Sequence, residues 1–233
     1  MTAGLPAPIT TVLFDVGNTL HHLDHAFIAH TITRHGHPVE PAAVAVAEYA
    51  GKAAVDTQFR ARRAGSDAVR QLSYFGTILE ALQVPPEAVE AILYELYAEN
   101  ARASLWRVMD PETPRLIADL RRRGYTLAVV SNADGRVAAS LAASGIAGEF
   151  ATIVDSHVVG VEKPAARIFE IALQACCAQA ANTIYVGDIY EIDVRGARNA
   201  GITPVLIDPL GGYGDVDCLR IASLSELPDL LRR

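Results

Sequence analysis

The sequence predicts an α/β fold: a doubly wound parallel sheet with a bundle of helices inserted after its first strand. Three observations carry this expectation. An apolar run, Thr11-Val12-Leu13-Phe14, ends abruptly in Asp15 and a Gly/Asn turn. From Thr126 onward, short apolar runs alternate with helical patterns, the rhythm of strand–helix–strand units. Between these regions, over residues 21–106, helical spacing dominates and no convincing strand is visible.

The first strand is expected over residues 9–15. Ala26, Phe27, Ile28 and Ile32 mark a short helix closed by Gly36 and Pro38. Pro41 opens an Ala/Val-rich helix that reaches toward Arg63 and stops near Gly65. Ser66 or Asp67 can cap the next, in which Val69, Leu72, Phe75, Ile78, Leu79 and Leu82 recur at three- and four-residue spacing. Pro85-Pro86-Glu87 begins a fourth, with Val89, Ile92, Leu93, Leu96 and Tyr97 on one face and proline where a first turn tolerates it. Pro111 then starts a helix ending in Arg121-Arg122-Arg123-Gly124, cations and glycine suiting a helix C-terminus. The arginines read as a solvated helix end. Strands over 126–130, 152–154, 183–186 and 205–207 alternate with helices over 137–144, 165–175 and 194–200. Gly211-Gly212-Tyr213-Gly214 reads as a flexible loop after the last well-formed strand. The expected division is a discontinuous α/β core, residues 1–20 and 107–233, and a helical domain, residues 21–106. Trp106 and Met109 read as packing residues where the insertion rejoins the core, and Tyr74, Phe75, Tyr94 and Tyr97 as mostly bundle interior.

Composition bounds the function. The chain has 233 residues, 51% hydrophobic and 20% charged, enough to build a sizeable core. A net charge of −7 argues against a nucleic-acid partner held by bulk charge. No segment reaches membrane-spanning length. Three cysteines, two of them adjacent, form no visible disulfide framework. With no signal-peptide pattern at the start, the expectation is a cytoplasmic protein, monomer or homodimer, with neither nucleic acid nor membrane as partner.

Open α/β sheets place their chemistry at the carboxyl ends of the strands. Asp15 leaves the first strand there. Ser131 follows Val129-Val130, and Gly187-Asp188 follows Thr183-Ile184-Tyr185-Val186, with Asp193 five residues on. Two acidic strand ends with Ser131 and Lys163 between them suggest a phosphate and divalent-metal site. Ser131 can donate its hydroxyl to a phosphate oxygen, and Asn132 and Ala133 offer backbone N–H groups near a helix start. Taken singly, each residue has a plainer reading as a helix cap or a solvated lysine.

Taken in order, Asp15-Val16-Gly17-Asn18-Thr19, Ser131-Asn132, Lys163-Pro164 and Gly187-Asp188 with Asp193 resemble the four motifs of the haloacid dehalogenase-like (HAD) hydrolase superfamily. The resemblance spans nearly the whole chain. It implies a Rossmann-like core with a helical cap between motifs one and two. It also implies Mg²⁺-dependent hydrolysis of a small phosphorylated metabolite, with Asp15 as the nucleophile that forms an aspartyl-phosphate. Ser131 and Lys163 would be its catalytic partners, and Thr19, Asn132 and Ala133 would bind substrate. Mg²⁺ would be held by Asp15, the Gly17 backbone carbonyl and Asp188, with Asp193 acting from behind or through water.

Gly17 departs from the pattern. In the family's phosphatases the residue two after the nucleophile is usually aspartate, whose carboxyl serves as general acid and then general base. Gly17 keeps the carbonyl and lacks the carboxyl, a loss typically worth about 10²–10⁴ in rate. Three readings follow. The first is a phosphatase whose leaving group needs little protonation, or which borrows a donor from His21, His22 or Asp24. The second is a phospholigand-binding or regulatory protein with low turnover. The third is a 2-haloacid dehalogenase, an enzyme that also lacks the second aspartate but needs no metal and lacks the Gly-Asp pair. Catalysis on phosphate ranks first. Six of the seven histidines fall between His21 and His37; His21 and His25 have the i, i+4 spacing of a shared metal, with a polar hinge as the plainer account.

Overall fold

The computed structural model describes residue 5, residues 8–61 and residues 67–232, with the backbone alone for 67–72. Arg63, Gly65 and Ser66, the expected helix stop and cap, lie outside the described residues, as do most of the N-terminal stretch and the side chains of Val69 and Leu72. In chain order the strands are β1 (Thr11–Phe14), β2 (His22–Leu23), β3 (Trp106–Val108), β4 (Thr126–Ser131), β5 (Thr152–Asp155), β6 (Thr183–Gly187), β7 (Thr203–Ile207) and β8 (Leu219–Ile221). The helices are α1 (His25–Arg34), α2 (Pro41–Arg60), α3 (Asp67–Ala81), α4 (Pro86–Arg102), α5 (Thr113–Arg122), α6 (Val137–Ala143), α7 (Ser156–Val159), α8 (Ala166–Ala175), α9 (Arg195–Asn199) and α10 (Leu227–Leu230). The chain divides into two compact units, one formed by Met1–His22 with Met109–Arg233 and the other by Leu23–Val108.

The first unit is built on a six-stranded sheet ordered β5-β4-β1-β6-β7-β8, parallel at every pairing. The order reverses at β1, which has β4 on one side and β6 on the other. That is the switch point at which open α/β sheets leave a crevice beyond the strand ends. Both faces of β1 are covered, which is why it reads as an unbroken apolar run. Alternate side chains serve different layers. Val12, Phe14, Val129, Ile184, Val186 and Val205 join one cluster with Ile117, Leu120, Leu141 and Leu227. Leu13, Ala128, Val130 and Tyr185 join the other with Ile168, Phe169, Ala172 and Ala197. Each such burial is worth roughly 1.5–3 kcal/mol before conformational entropy is subtracted.

Several expectations shift here. α5 begins at Thr113 rather than Pro111, because Asp110 draws the chain into a turn. Its Oδ1 accepts from Glu112 N at 2.8 Å and its carbonyl accepts from Thr113 N at 2.9 Å. The arginine triplet is tied down locally, Arg122 and Arg123 to Asp119 and Arg121 to Gly148 O. The loop expected to be flexible is fastened by buried Asp208, which accepts from Gly212 N and Arg220 at 3.0 and 3.3 Å, and β8 follows it. All three cysteines are free.

The second unit holds α1 to α4. Asp24 caps α1, accepting from Phe27 N at 2.9 Å. Gly51 lets α2 and α3 approach closely, since a Cβ there would lie 3.0 Å from both Cδ2 and the carbonyl oxygen of Tyr74. Phe75 and Tyr74 stack edge-on, and each meets Trp106 at 5.8 Å. Tyr94, by contrast, is 76% exposed. The region expected to lack strands contains β2 and β3, which pair in a separate ladder. Strands of two and three residues are too short to show alternation. No helix among the described residues is long and apolar enough to cross a membrane.

Candidate active site

The parallel strands deliver their terminal residues to one edge. Asp15 follows β1 directly, and its N–H donates to Val186 O at 2.9 Å, setting it beside the end of β6 where Gly187 and Asp188 emerge. Lys163, 2% exposed, is the hub. Its Nζ donates to Asp15 Oδ1 at 2.8 Å, Asp193 Oδ1 at 2.8 Å and Tyr185 OH at 2.7 Å, which uses all three of its N–H bonds. Its backbone is gripped at two points by Asn132, whose Oδ1 accepts from Lys163 N at 2.8 Å and whose Nδ2 donates to Lys163 O at 3.0 Å.

Asp193 is an organiser. It returns toward the strand end through a π-turn, Tyr190–Val194, and its Oδ2 accepts from the N–H groups of Asp188 and Ile189 at 3.0 and 2.9 Å. Glycine at 187 permits this approach, because a Cβ would sit 2.5 Å from Asp193 Cγ. Tyr185, fully buried, places its hydroxyl 2.9 Å from Val130 O and 3.1 Å from Asp193 Oδ1.

Oxygens of Asp15, Asp188 and Asp193 lie within 4.8 Å of one another, all three residues buried. Three carboxylates face one ammonium, so the cluster carries surplus negative charge in a low-dielectric setting. The Asp15 carboxyl is accordingly pushed above the ordinary carboxylate value, first by burial and then by Asp193, with Lys163 pulling the other way. Burial alone would lower Lys163, but the charges of Asp15 and Asp193 hold it above the ordinary lysine value. A compact set of hard oxygen donors with a charge deficit fits a divalent cation such as Mg²⁺. Asp193 already accepts from Lys163 Nζ and from two backbone N–H groups, with Tyr185 OH 3.1 Å away, which favours Asp15 and Asp188 for direct coordination.

The other expected residues fall into two groups. Ser131 ends β4 and is buried, paired in register with Asp155. Thr19 lies buried in the turn after Asp15, and its Oγ1 has no hydrogen-bond partner among the described residues. Gly17 forms an isolated bridge with His21, and Asn18 takes a left-handed conformation at φ 52° to close that turn. The Ala133 N–H, expected to face an anion, instead donates to Ser156 Oγ at 3.0 Å.

The candidate surrogate acids are committed elsewhere. His21 is buried, with Nε2 2.8 Å from Ser144 Oγ and Nδ1 3.2 Å from Ser140 Oγ. Asp24 caps α1 and pairs with Arg107 at 2.9 Å. His22 lines a cavity of about 720 Å³ whose walls include Asp110, Arg115 and Ser223 but none of the three clustered carboxylates. His25 pairs with Glu48 at 2.7 Å, so His21 and His25 engage different partners. Sequence reasoning missed Tyr185, Asp155 and Ser156. A tyrosine inside an otherwise apolar buried strand was the available signal, since its hydroxyl must find a partner. Asp155 had a signal too, an acid at a strand end; it caps α7 and accepts from His157 N and Gly135 N, each at 3.0 Å.

Comparison with known proteins identifies the family. The profile of the haloacid dehalogenase-like hydrolases matches residues 9–201. The chain is 34% identical over 121 residues to haloacid dehalogenase-like hydrolase domain-containing protein 3 of Mus musculus, covering 52% of this chain and 48% of the relative. It is 33% identical over 135 residues to a phosphoserine phosphatase of Thermus thermophilus, covering 58% and 53%. The chain thus spans about half the length of these relatives. Among solved structures, the HAD-hydrolase YfnB from Bacillus subtilis, bound to magnesium, superposes with a TM-score of 0.69 at 20% identity, over 97% of this chain and 100% of that one.

Proposed function

The chain belongs to the haloacid dehalogenase-like hydrolase family, and from that premise we propose that it is a Mg²⁺-dependent phosphatase acting on a small phosphorylated metabolite through Asp15. One observation carries the reading: Asp15, Asp188 and Asp193 converge within 4.8 Å around the buried ammonium of Lys163. Phosphoryl transfer needs an in-line nucleophile and neutralised phosphate oxygens, and this cluster offers both kinds of group.

In this reading Asp15 attacks phosphorus to form an aspartyl-phosphate. Lys163 offsets repulsion between the Asp15 carboxylate and the incoming phosphate. Ser131 and Thr19 supply hydroxyl donors to the phosphate oxygens. Asp15 and Asp188, with the backbone carbonyl of Gly17, would hold Mg²⁺, which when bound supplies positive charge to those oxygens. Asp193 keeps Lys163 and the Asp188 backbone in place. The helical unit Leu23–Val108 would correspond to the cap that the family resemblance implies, the part expected to contribute substrate selectivity. A cytoplasmic setting is in keeping with the free Cys176, Cys177 and Cys218.

The buried Asp188 beside Asp15 disfavours the dehalogenase reading, since halide departs without a proton or a metal. The test is phosphate release from a panel of phosphate esters and anhydrides with and without Mg²⁺, alongside Asp15→Asn. Mg²⁺-dependent release that vanishes in the variant is expected. Metal-independent halide release from 2-chloropropionate, without phosphatase activity, would overturn the assignment.

A further inference from the structure

The second part of the site's chemistry concerns protons, and it rests on the phosphatase reading. Alkyl phosphates leave as alkoxides unless an acid protonates the departing oxygen, and hydrolysis of a phospho-enzyme is assisted by a base on the attacking water. In the core unit, the groups that the structure sets around Asp15 are already engaged. The three N–H bonds of Lys163 are directed to Asp15, Asp193 and Tyr185. Tyr185 OH is held among Lys163 Nζ, Val130 O and Asp193. Asp193 accepts from Lys163 and two backbone N–H groups and lies 3.1 Å from Tyr185 OH, so its lone pairs are engaged by fixed groups. Both ring nitrogens of His21 lie on serine hydroxyls, Ser140 in α6 and Ser144 at its C-terminal end. Asp155 is occupied by the N–H groups of Gly135 and His157. Ser131 and Thr19 donate hydrogen bonds but give up no proton near neutral pH. Asp188 is the carboxylate assigned to the metal, and residue 17, beside the nucleophile, has no side chain.

We propose that this site takes its phosphoryl group from acyl phosphates, the mixed anhydrides of a carboxylic acid and phosphate, and that phospho-Asp15 accumulates during turnover. In the first step an Asp15 oxygen attacks phosphorus, the P–O bond to the acyl oxygen breaks, and its electron pair leaves on a carboxylate. No proton moves. One acyl phosphate is exchanged for another, so the step is nearly balanced in energy and needs no acid. In the second step water attacks phosphorus, the P–O bond to Asp15 breaks, and its electron pair returns to the Asp15 carboxylate. The protons of water pass to the released phosphate and to solvent. With the core groups around Asp15 already engaged, no base among them assists the water and this step is the slow one.

The experiment uses the full chain with Mg²⁺ and measures kcat/KM for acetyl phosphate, 4-nitrophenyl phosphate, phenyl phosphate and glycerol phosphate. A fall of about 10²–10⁴ from the first to the last is expected, the span that an acid would otherwise supply. Rapid mixing with 4-nitrophenyl phosphate should give a burst of nitrophenol stoichiometric with enzyme. Intact-protein mass spectrometry should find one added phosphoryl group, absent in Asp15→Asn. Gly17→Asp, which puts a carboxyl beside the nucleophile, should flatten the series and remove the burst. Equal kcat/KM across the series, with no burst and with Asp15-dependent turnover, would overturn this inference and leave the phosphatase reading standing. Absence of Mg²⁺-dependent turnover and of phosphorylation on every substrate would remove both.

Discussion

Gly187 and Asp193 are in van der Waals contact across the end of β6, so close that a single added carbon at 187 would lie 2.5 Å from Asp193 Cγ. Gly187→Ala must therefore displace the carboxylate that holds the Asp188 and Ile189 N–H groups. Mg²⁺ affinity should fall about 10–100-fold, the usual cost of disturbing a group that orients a ligand. Isothermal titration with Mg²⁺, with circular dichroism to check the fold, reads this directly. An unchanged affinity would place the ion elsewhere.

Tyr185→Phe keeps the ring against Phe169 and removes only the hydroxyl. Val130 O and Lys163 Nζ each lose a buried partner. A loss of about 1–3 kcal/mol in stability is expected from such unsatisfied groups. A shift in the urea midpoint with an unchanged slope measures it; a neutral result would mean that water fills the gap.

Lys163→Met replaces the ammonium by an apolar chain of similar length and leaves Asp15 and Asp193 facing each other. Breaking a buried pair in this way costs about 3–5 kcal/mol. Mg²⁺ should recover more stability in the variant than in the wild type, because a cation then offsets charge that the lysine no longer does. Thermal melts with and without Mg²⁺ should show this divergence, and parallel shifts in the two proteins would count against a shared charge cluster.

His21 carries a pH dependence. Burial, with a further contribution from His22, lowers its pKa below the ordinary imidazole value of 6.5. As pH falls through 6.5 the unfolded chain takes up a proton before the folded one, so the unfolded state binds more protons. The stability tied to neutral His21 is therefore complete above 6.5 and lost progressively below it. His21→Gln should flatten the stability profile on the acid side of pH 6.5. A profile with the same slope in both proteins would assign the acid sensitivity to another group.

Much of the sheet was legible because its central strands are buried on both faces. Val12 to Phe14 and Leu127 to Val130 have no polar residue to interrupt them, and this pattern survives without tertiary knowledge. β2, β3 and β8 were not legible, since two or three residues cannot display a period. Pro111 misled as a helix start because proline suits a first turn and a turn before it equally well; the Asp110 carboxylate made the choice. Asn132 and Ala133 were read as offering backbone N–H groups to an anion; the Ala133 N–H turns instead to Ser156, and the grip of the Asn132 side chain on the Lys163 backbone was not foreseen. Both partners are remote in sequence, and local spacing carries no trace of them.

The order of chemistry-bearing residues, Asp15, Ser131, Lys163, Asp188 and Asp193, is written in the chain, because residue identity and strand ends are local properties. The strand order that brings them to one edge, the π-turn that swings Asp193 behind Asp188, and the use of Tyr185 and Asn132 to hold Lys163 came from packing alone. A hydrogen bond between groups tens of residues apart forms only once burial has removed water from both, and no stretch of sequence encodes that by itself.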